Sequence, residues 1–249
     1  MDIRIISIGT LAINPLWDER AQTRTGHATT TLIRTTGQSG DLNIIVDPGL
    51  PAQMIGARLT ERSGLSPDDI THVFLTSFHP ETRRGLSAFP NAQWLISPTE
   101  RETVGIPLAQ TLAQLAQSKQ EHEAGGTQLP EDEQLLMDQL IADIELLSKV
   151  QPAPDSIVKG VDLFPLPGVS AGTCGLLISE PTSTTLICGD AIPTVEHLNA
   201  GRVLDGADRK QATASFSEAI EIADTLVLGR DNTVQSPSQM TASGLRPGP

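Results

Sequence analysis

Apolar and polar residues alternate or cluster in short runs along the first part of the chain, at Ile3 to Ile8, Thr29 to Arg34 and Leu42 to Val46. Runs of this length, rich in β-branched residues and closed by turn formers such as Asp47-Pro48-Gly49, predict successive strands of one sheet. Between the first two runs lies a polar stretch, Gly9 to Gly26, that holds Trp17, Asp18, Glu19 and Arg20. It is too long for a hairpin turn and reads equally as a binding loop or as a disordered surface loop. Ala52 to Arg62 carries helical spacing. Ser66-Pro67-Asp68-Asp69 then supplies an N-cap residue, a proline at the first helical position and an acid at the third, which predicts a helical turn feeding a strand from His72 to Thr76.

The pattern changes between Pro98 and Val150. Apolar residues now recur at helical spacing, in Leu108, Leu112 and Leu115 and again in Leu135, Leu136, Leu140, Ile141, Ile144 and Leu147. This predicts a helical hairpin joined near Gly125-Gly126 and ended by the proline-bearing QPAPDSIVKG. Strand-like runs return at Val161 to Leu166, Gly175 to Ile178 and Thr184 to Cys188, followed by a helix over about Lys210 to Ala223 and a final strand, Thr225 to Leu228. From Ser236 the sequence is rich in Ser, Pro and Gly, the composition of a frayed tail. A chain of 249 residues can bury one sizeable core. The expected organisation is one domain over residues 1–235 and a flexible tail over 236–249.

Charge and composition narrow the partners. Seventeen Lys and Arg stand against 30 Asp and Glu, a formal charge of -13, and such a surface repels polyphosphate. Aromatics make up 3% of the chain and tyrosine is absent, leaving little material for stacking platforms. Nucleic acid is therefore not an expected partner; a small molecule met by polar groups is. Cys174 and Cys188 both lie in apolar strand-like runs, as buried thiols do, and indicate neither a disulfide framework nor a cysteine zinc site. MDIRIISIG lacks the apolar core of a secretory signal, and no run approaches the ~18 apolar residues of a membrane span. The expectation is a cytoplasmic protein with no membrane contact.

The densest chemistry is in LTSFHPETRRGL, residues 75–86, where a strand delivers a histidine, a glutamate, hydroxyls and two arginines into a turn. Taken alone, a histidine after a strand is commonly a hydrogen-bonded structural group. Arg83 and Arg84 read as a solvated helix face, and His122 as a surface residue. His27 and His197 border predicted strand ends and could line a groove. A second motif, Gly168-Val169-Ser170-Ala171-Gly172, fits the G-x-S-x-G elbow of serine hydrolases. That elbow must run into a helix, whereas Thr173 to Ser179 is strand-like, so Ser170 is expected to be a turn residue.

The order of five motifs resembles the metallo-β-lactamase superfamily of metal-dependent hydrolases. A strand ends in Val46-Asp47-Pro48-Gly49, LTSFHPETRRGL follows, and LPGVSAGTCGLLI, LICGDA and LVLGRDN complete the series. In the family these places read roughly DxG, T-H-x-H-x-D-H-x-G-G, P-G-H-T-x-G-S, G-D and G-H. The resemblance implies an α/β fold of four αββα layers, with a helical insertion at about residues 98–150 and two metals in a groove at one edge. Carried over position by position, His79 matches a ligand histidine and Asp190 the bridging aspartate, while Glu81 takes the place of an aspartate. Ser77, Thr82, Val169 and Arg230 stand where the family has histidines. A hydroxyl is a poor ligand for a borderline-soft ion, valine offers no donor, and arginine brings its own charge. The expectation is a non-catalytic or altered relative without a metal cofactor, whose groove, with Ser77, Thr82 and Arg230, binds a small molecule or partner. The alternative is a hydrolase that holds one divalent metal (zinc, iron or manganese) on His79, Glu81 and Asp190. Without metal, Arg230 is expected to pair with Asp190 or Glu81.

Overall fold

The computed structural model describes residues 1–37 and 40–238, and within them the strand-forming runs assemble into two sheets of six strands each. The first holds β1 (Asp2–Ser7), β2 (Thr30–Gly37), β3 (Gly40–Val46), β4 (His72–Leu75), β5 (Gln93–Ile96) and β6 (Gln151–Pro152), in that spatial order. The first three strands are antiparallel, and β3 to β6 run parallel. The second sheet holds β7 (Ser156–Val158), β8 (Val161–Pro165), β9 (Cys174–Glu180), β10 (Ser183–Ile187), β11 (Thr225–Val227) and β12 (Thr233–Gln235) in sequence order across the sheet. All its neighbours are antiparallel except β10 and β11.

Side-chain alternation sets the layers. Ile44, Val46, Phe74 and Leu95 of the first sheet meet Leu176, Ile178, Ile187 and Val227 of the second in one buried cluster. The intervening residues, Ile45, Val73, Leu75 and Ile96, face the other way, onto Ile55 and Leu59 of α1 (Ala52–Ser63) and Leu147. On the far side of the second sheet, Leu186, Cys188, Leu226 and Leu228 pack on Phe216 and Ala219. The result is an αββα sandwich. Because the central strands are covered on both faces, they read as continuous apolar runs rather than clean alternations.

The remaining helices are α2 (Pro80–Arg83), α3 (Pro98–Ala124), α4 (Glu131–Lys149), α5 (Val195–Ala200) and α6 (Arg209–Ile222). α3 and α4 are the hairpin expected from the helical spacing, with Gly126 in the left-handed region at the turn (φ 74°). The capping box at Ser66 forms as predicted, although the helix it starts is a single 3-10 turn, Pro67–Asp69. Four short strands, β5, β6, β7 and β12, escape the pattern. Thr225 to Leu228 is accordingly not the last strand, since β12 pairs antiparallel beyond it. Ser236, at the start of the segment read as a tail, is buried and its hydroxyl donates to Ile220 O at 2.6 Å. Residues 239–249 of that segment lie outside the described residues. Both cysteines are free and buried, and no described helix is long and apolar enough to cross a membrane.

Candidate functional site

Four strand ends meet at one edge of the sandwich because their backbones approach too closely for any residue but glycine at two of them. A Cβ on Gly229, after β11, would lie 2.2 Å from Gly189 O, and one on Gly189, after β10, would lie 2.6 Å from Thr76 Oγ1. Gly189 also has φ 53°, where a side chain adds strain. Thr76 is tied in turn to β9 and β3, its carbonyl accepting from Cys174 N at 3.0 Å and its amide donating to Asp47 Oδ1 at 2.8 Å. These contacts bring Asp47, Glu81, Asp190 and Arg230 to one place.

Arg230 is the hub. Its Nε and Nη2 donate to Asp190 Oδ1 and Oδ2 at 2.7 and 2.8 Å, a bidentate fork, and its Nη1 donates to Glu81 Oε2. The Arg230 and Asp190 side chains are 3% and 7% exposed, a desolvated pair, and Glu81, 20% exposed, joins it from the edge. Burial raises the Asp190 pKa, but the charge and hydrogen bonds of Arg230, helped by the charge of His79, hold it below the ordinary carboxylate value. Burial disfavours the charged form of Arg230, and the carboxylates of Asp190 and Glu81 more than reverse that. Gly26 closes over Glu81: a Cβ there would lie 2.2 Å from Glu81 Oε1. The loop that begins at Gly9 thus ends against the triad.

Asp47 is a buried carboxylate that the motif reading placed in a turn and gave no role. It has φ 49° and accepts both the amide and, at 2.6 Å, the hydroxyl of Thr76. Burial pushes its pKa up to about 7 against those two hydrogen bonds; the charge of Asp190 adds to the rise and that of Arg230 opposes it. The left-handed Asp-Pro-Gly turn was the available signal.

The other expected residues divide. His79 is exposed and caps α2, its Nδ1 accepting from Glu81 N at 3.2 Å. Thr82 spends its hydroxyl on the carbonyls of Ser77 and His79. Ser77 Oγ is buried without a hydrogen-bond partner. Among the described residues, no three His, Cys, Asp or Glu side chains form a group able to hold a metal ion. Val169 sits in the turn after β8, where its carbonyl accepts from Ala207 N at 3.3 Å. Ser170 donates to Glu100 Oε2 at 2.6 Å, and β9 follows it, so the elbow geometry is absent. Glu100 itself was missed: it is 2% exposed and also accepts from Phe78 N, although Ser97-Pro98-Thr99-Glu100 repeats the cap pattern recognised at Ser66.

Arg83 is not a solvated residue. It stacks 4.3 Å from the Phe78 ring centroid, donates to Phe78 O and pairs with Asp143 of α4 at 2.7 Å, tying α2 to the helical hairpin. His122 is half-buried, its ring bonded to Ser118 O, rather than on the surface. His197 lies buried beneath Thr194 with its ring nitrogen 2.9 Å from that hydroxyl, and His27 is bonded to Ile8 O. Neither lines the cavity beside Arg230.

That cavity, of about 370 Å³, opens between the loop after β1 and the start of α5. Leu11, Asn14, Trp17 and Arg24 line it from the loop, and Val195, Glu196, Arg230 and Asp231 line the rest. The loop is ordered by its own bonds. Asn14 Oδ1 caps a 3-10 turn at Leu16 N, Arg24 donates to both oxygens of Glu19 and to Leu11 O, and its guanidinium lies 5.2 Å from the Trp17 ring centroid.

The family model for the metallo-β-lactamase superfamily matches residues 23–229. A comparison with curated proteins found no match. Among solved structures, a Thermotoga maritima protein assigned to the metallo-β-lactamases is 18% identical, with a TM-score of 0.61 and coverage of 94% of this chain and 98% of its own. AidC, a dizinc quorum-quenching lactonase, is 18% identical with a TM-score of 0.55, covering 81% of this chain and 70% of its own. AiiA of B. thuringiensis, with N-decanoyl-L-homoserine at its active site, is 18% identical with a TM-score of 0.54, covering 88% and 86%.

Proposed function

The chain belongs to the metallo-β-lactamase superfamily, and we propose that within it the protein is a small-ligand-binding relative in which Arg230 stands as a resident cation in place of the family's metals. Residues 1–235 act in this reading as one domain. A single observation carries it: the Arg230 guanidinium makes three hydrogen bonds to the two carboxylates, Asp190 and Glu81, that a metal would need. A catalytic zinc takes three protein ligands and lowers the pKa of bound water to about 7. Here the further ligand positions hold the Ser77 hydroxyl, the Thr82 hydroxyl already bonded to backbone, and Val169. A divalent ion on Asp190 would have to displace the guanidinium and leave a buried arginine unpaired, which costs several kcal/mol. The donor set does not fit a metal pair, and we derive no hydrolytic step through one.

The competing reading is a hydrolase with one zinc, iron or manganese on His79, Glu81 and Asp190. The dizinc lactonase among the structural neighbours favours it, but it requires Arg230 to leave the triad. Metal analysis of protein purified without a histidine tag separates the two. The expected content is well under one zinc, iron or manganese per chain. Stoichiometric metal, with hydrolytic activity lost in His79→Ala and Asp190→Asn but kept in Ser170→Ala, would establish the hydrolase.

A further inference from the structure

We propose that the cavity between the loop after β1 and the start of α5 binds a small organic ammonium compound that also carries a neutral hydrogen-bond acceptor, an amino amide being the simplest example. The proposal rests on the reading of Arg230 as the resident cation, because it takes the charge of Arg230 to be already answered.

The first observation is a charge balance. Arg24 and Arg230 both line the cavity. Arg24 is answered by Glu19, and Arg230 by Asp190 and Glu81. That leaves Glu196 and Asp231, both lining the cavity and neither in an ion pair among the described residues. Asp231 accepts backbone amides, Val195 N on Oδ2 and Asn232 N on Oδ1, which fixes its carboxylate without neutralising it. Glu196 is a second carboxylate without an ion-pair partner among the described residues; burial raises its pKa, but the polar groups of Thr194 and Trp17, its own backbone and the charge of His197 bring it below the usual value. Two unpaired carboxylates at one opening, one of them fixed by backbone amides, repel anions and attract a cation.

The second observation is independent of charge. Asn14 lines the cavity while only 2% exposed. Its Oδ1 is taken by Leu16 N, and its NH₂ group has no hydrogen-bond partner among the described residues. The amide nitrogen is not one of the fully buried unpartnered atoms, so it reaches the cavity and is free to donate to a ligand or water there. It therefore calls for an acceptor on the same ligand whose cation faces Glu196 and Asp231. Leu11, Val195 and the 55%-exposed Trp17 supply apolar and aromatic wall for the intervening carbons, and an indole face also attracts an ammonium group. At about 30 Å³ per water-sized group, 370 Å³ admits roughly a dozen heavy atoms, which sets the ligand's scale.

Trp17 makes the site observable. In a Trp94→Phe background it is the sole tryptophan, since the chain has two. The emission of Trp17 is followed during titration with 4-aminobutanamide, butanamide and n-butylamine, and metal content is measured on the same sample. A saturable change with 4-aminobutanamide is expected, at least tenfold weaker with either compound that lacks one of the two groups. Glu196→Gln and Asp231→Asn should each weaken it at least tenfold, the former without altering the melting temperature. Absence of a saturable response, equal binding of butanamide, or an unchanged affinity in Glu196→Gln would overturn the proposal. The two ideas fail separately: a metal-free protein that ignores the amine defeats this inference alone, and a metal-loaded protein that binds it defeats only the reading of Arg230.

Discussion

Arg24 and Arg230 line the same cavity, and both are held by carboxylates, yet they belong to different kinds of structure. Arg230 has a side chain 3% exposed and reaches acids contributed by two other segments, 40 and 149 residues away in sequence. Arg24 is 30% exposed and grips Glu19, five residues back in its own loop. The first pair is desolvated, so its worth shows mainly as the cost of breaking it. The second is screened by solvent and serves to shape a loop. A hydrogen-bond count alone would rank the two arginines alike; burial and the origin of the partners separate them.

Removing each cation sharpens the contrast. Arg230→Ala strands two carboxylates and should cost about 3–5 kcal/mol in chemical denaturation. A loss under about 1 kcal/mol would mean that the centre is solvated. Gly229→Ala attacks the same centre through its backbone, where the new Cβ would lie 2.2 Å from Gly189 O. It should cost about 1–3 kcal/mol, as overpacking does, and a neutral result would show that β10 and β11 can part without harm.

The Asp47 carboxyl gives the buried region a pH signature opposite in sign to that of the loop, where the Asn14 amide and Arg24 lower the Glu19 pKa. Its pKa rises from 3.8 unfolded to about 7 folded, so the folded state binds the extra proton between those values. The stability that Asp47 contributes is therefore full below about pH 4 and is lost as pH rises toward 7, with a slope of up to about 1.4 kcal/mol per pH unit. Asp190 has the opposite sign. Its pKa is depressed, so its contribution is present above 3.8 and is lost only as pH falls through the folded value. Asp47→Asn should flatten stability between pH 4 and 7 and leave the acid limb of the curve in place. An unchanged slope in that variant would assign the titration elsewhere. Arg24→Ala should be the mildest change, with a melting temperature within about 3 °C of the parent; a larger drop would make the loop part of the core.

The layers of the sandwich were legible because strands covered on both faces must be apolar throughout, as Ile44 to Val46 and Val73 to Leu75 are. The motif order then placed Asp190 and Arg230 after the neighbouring strands β10 and β11 and Glu81 in α2, and the expected pairing of Arg230 followed from that placement together with charge. What escaped was of two kinds. β5, β6, β7 and β12 are two to four residues long, shorter than the window in which alternation can be seen. Glu100, Arg83 and Asp47 take their partners from segments far away in sequence, and no local spacing encodes that. Ser170 shows the converse. Its motif was locally complete, and only the strand after it, visible in the sequence as Thr173 to Ser179, disqualified it.

The central claim is that Arg230 occupies the place of a metal, and its most direct test is the melting temperature of the untagged protein as isolated, with chelator, and with excess zinc. A metal bound only to the native state would add RT ln(1 + [L]/Kd) to stability. The account predicts the same melting temperature in all three conditions. A rise with zinc that chelator reverses would contradict it and place a metal where Arg230 now lies.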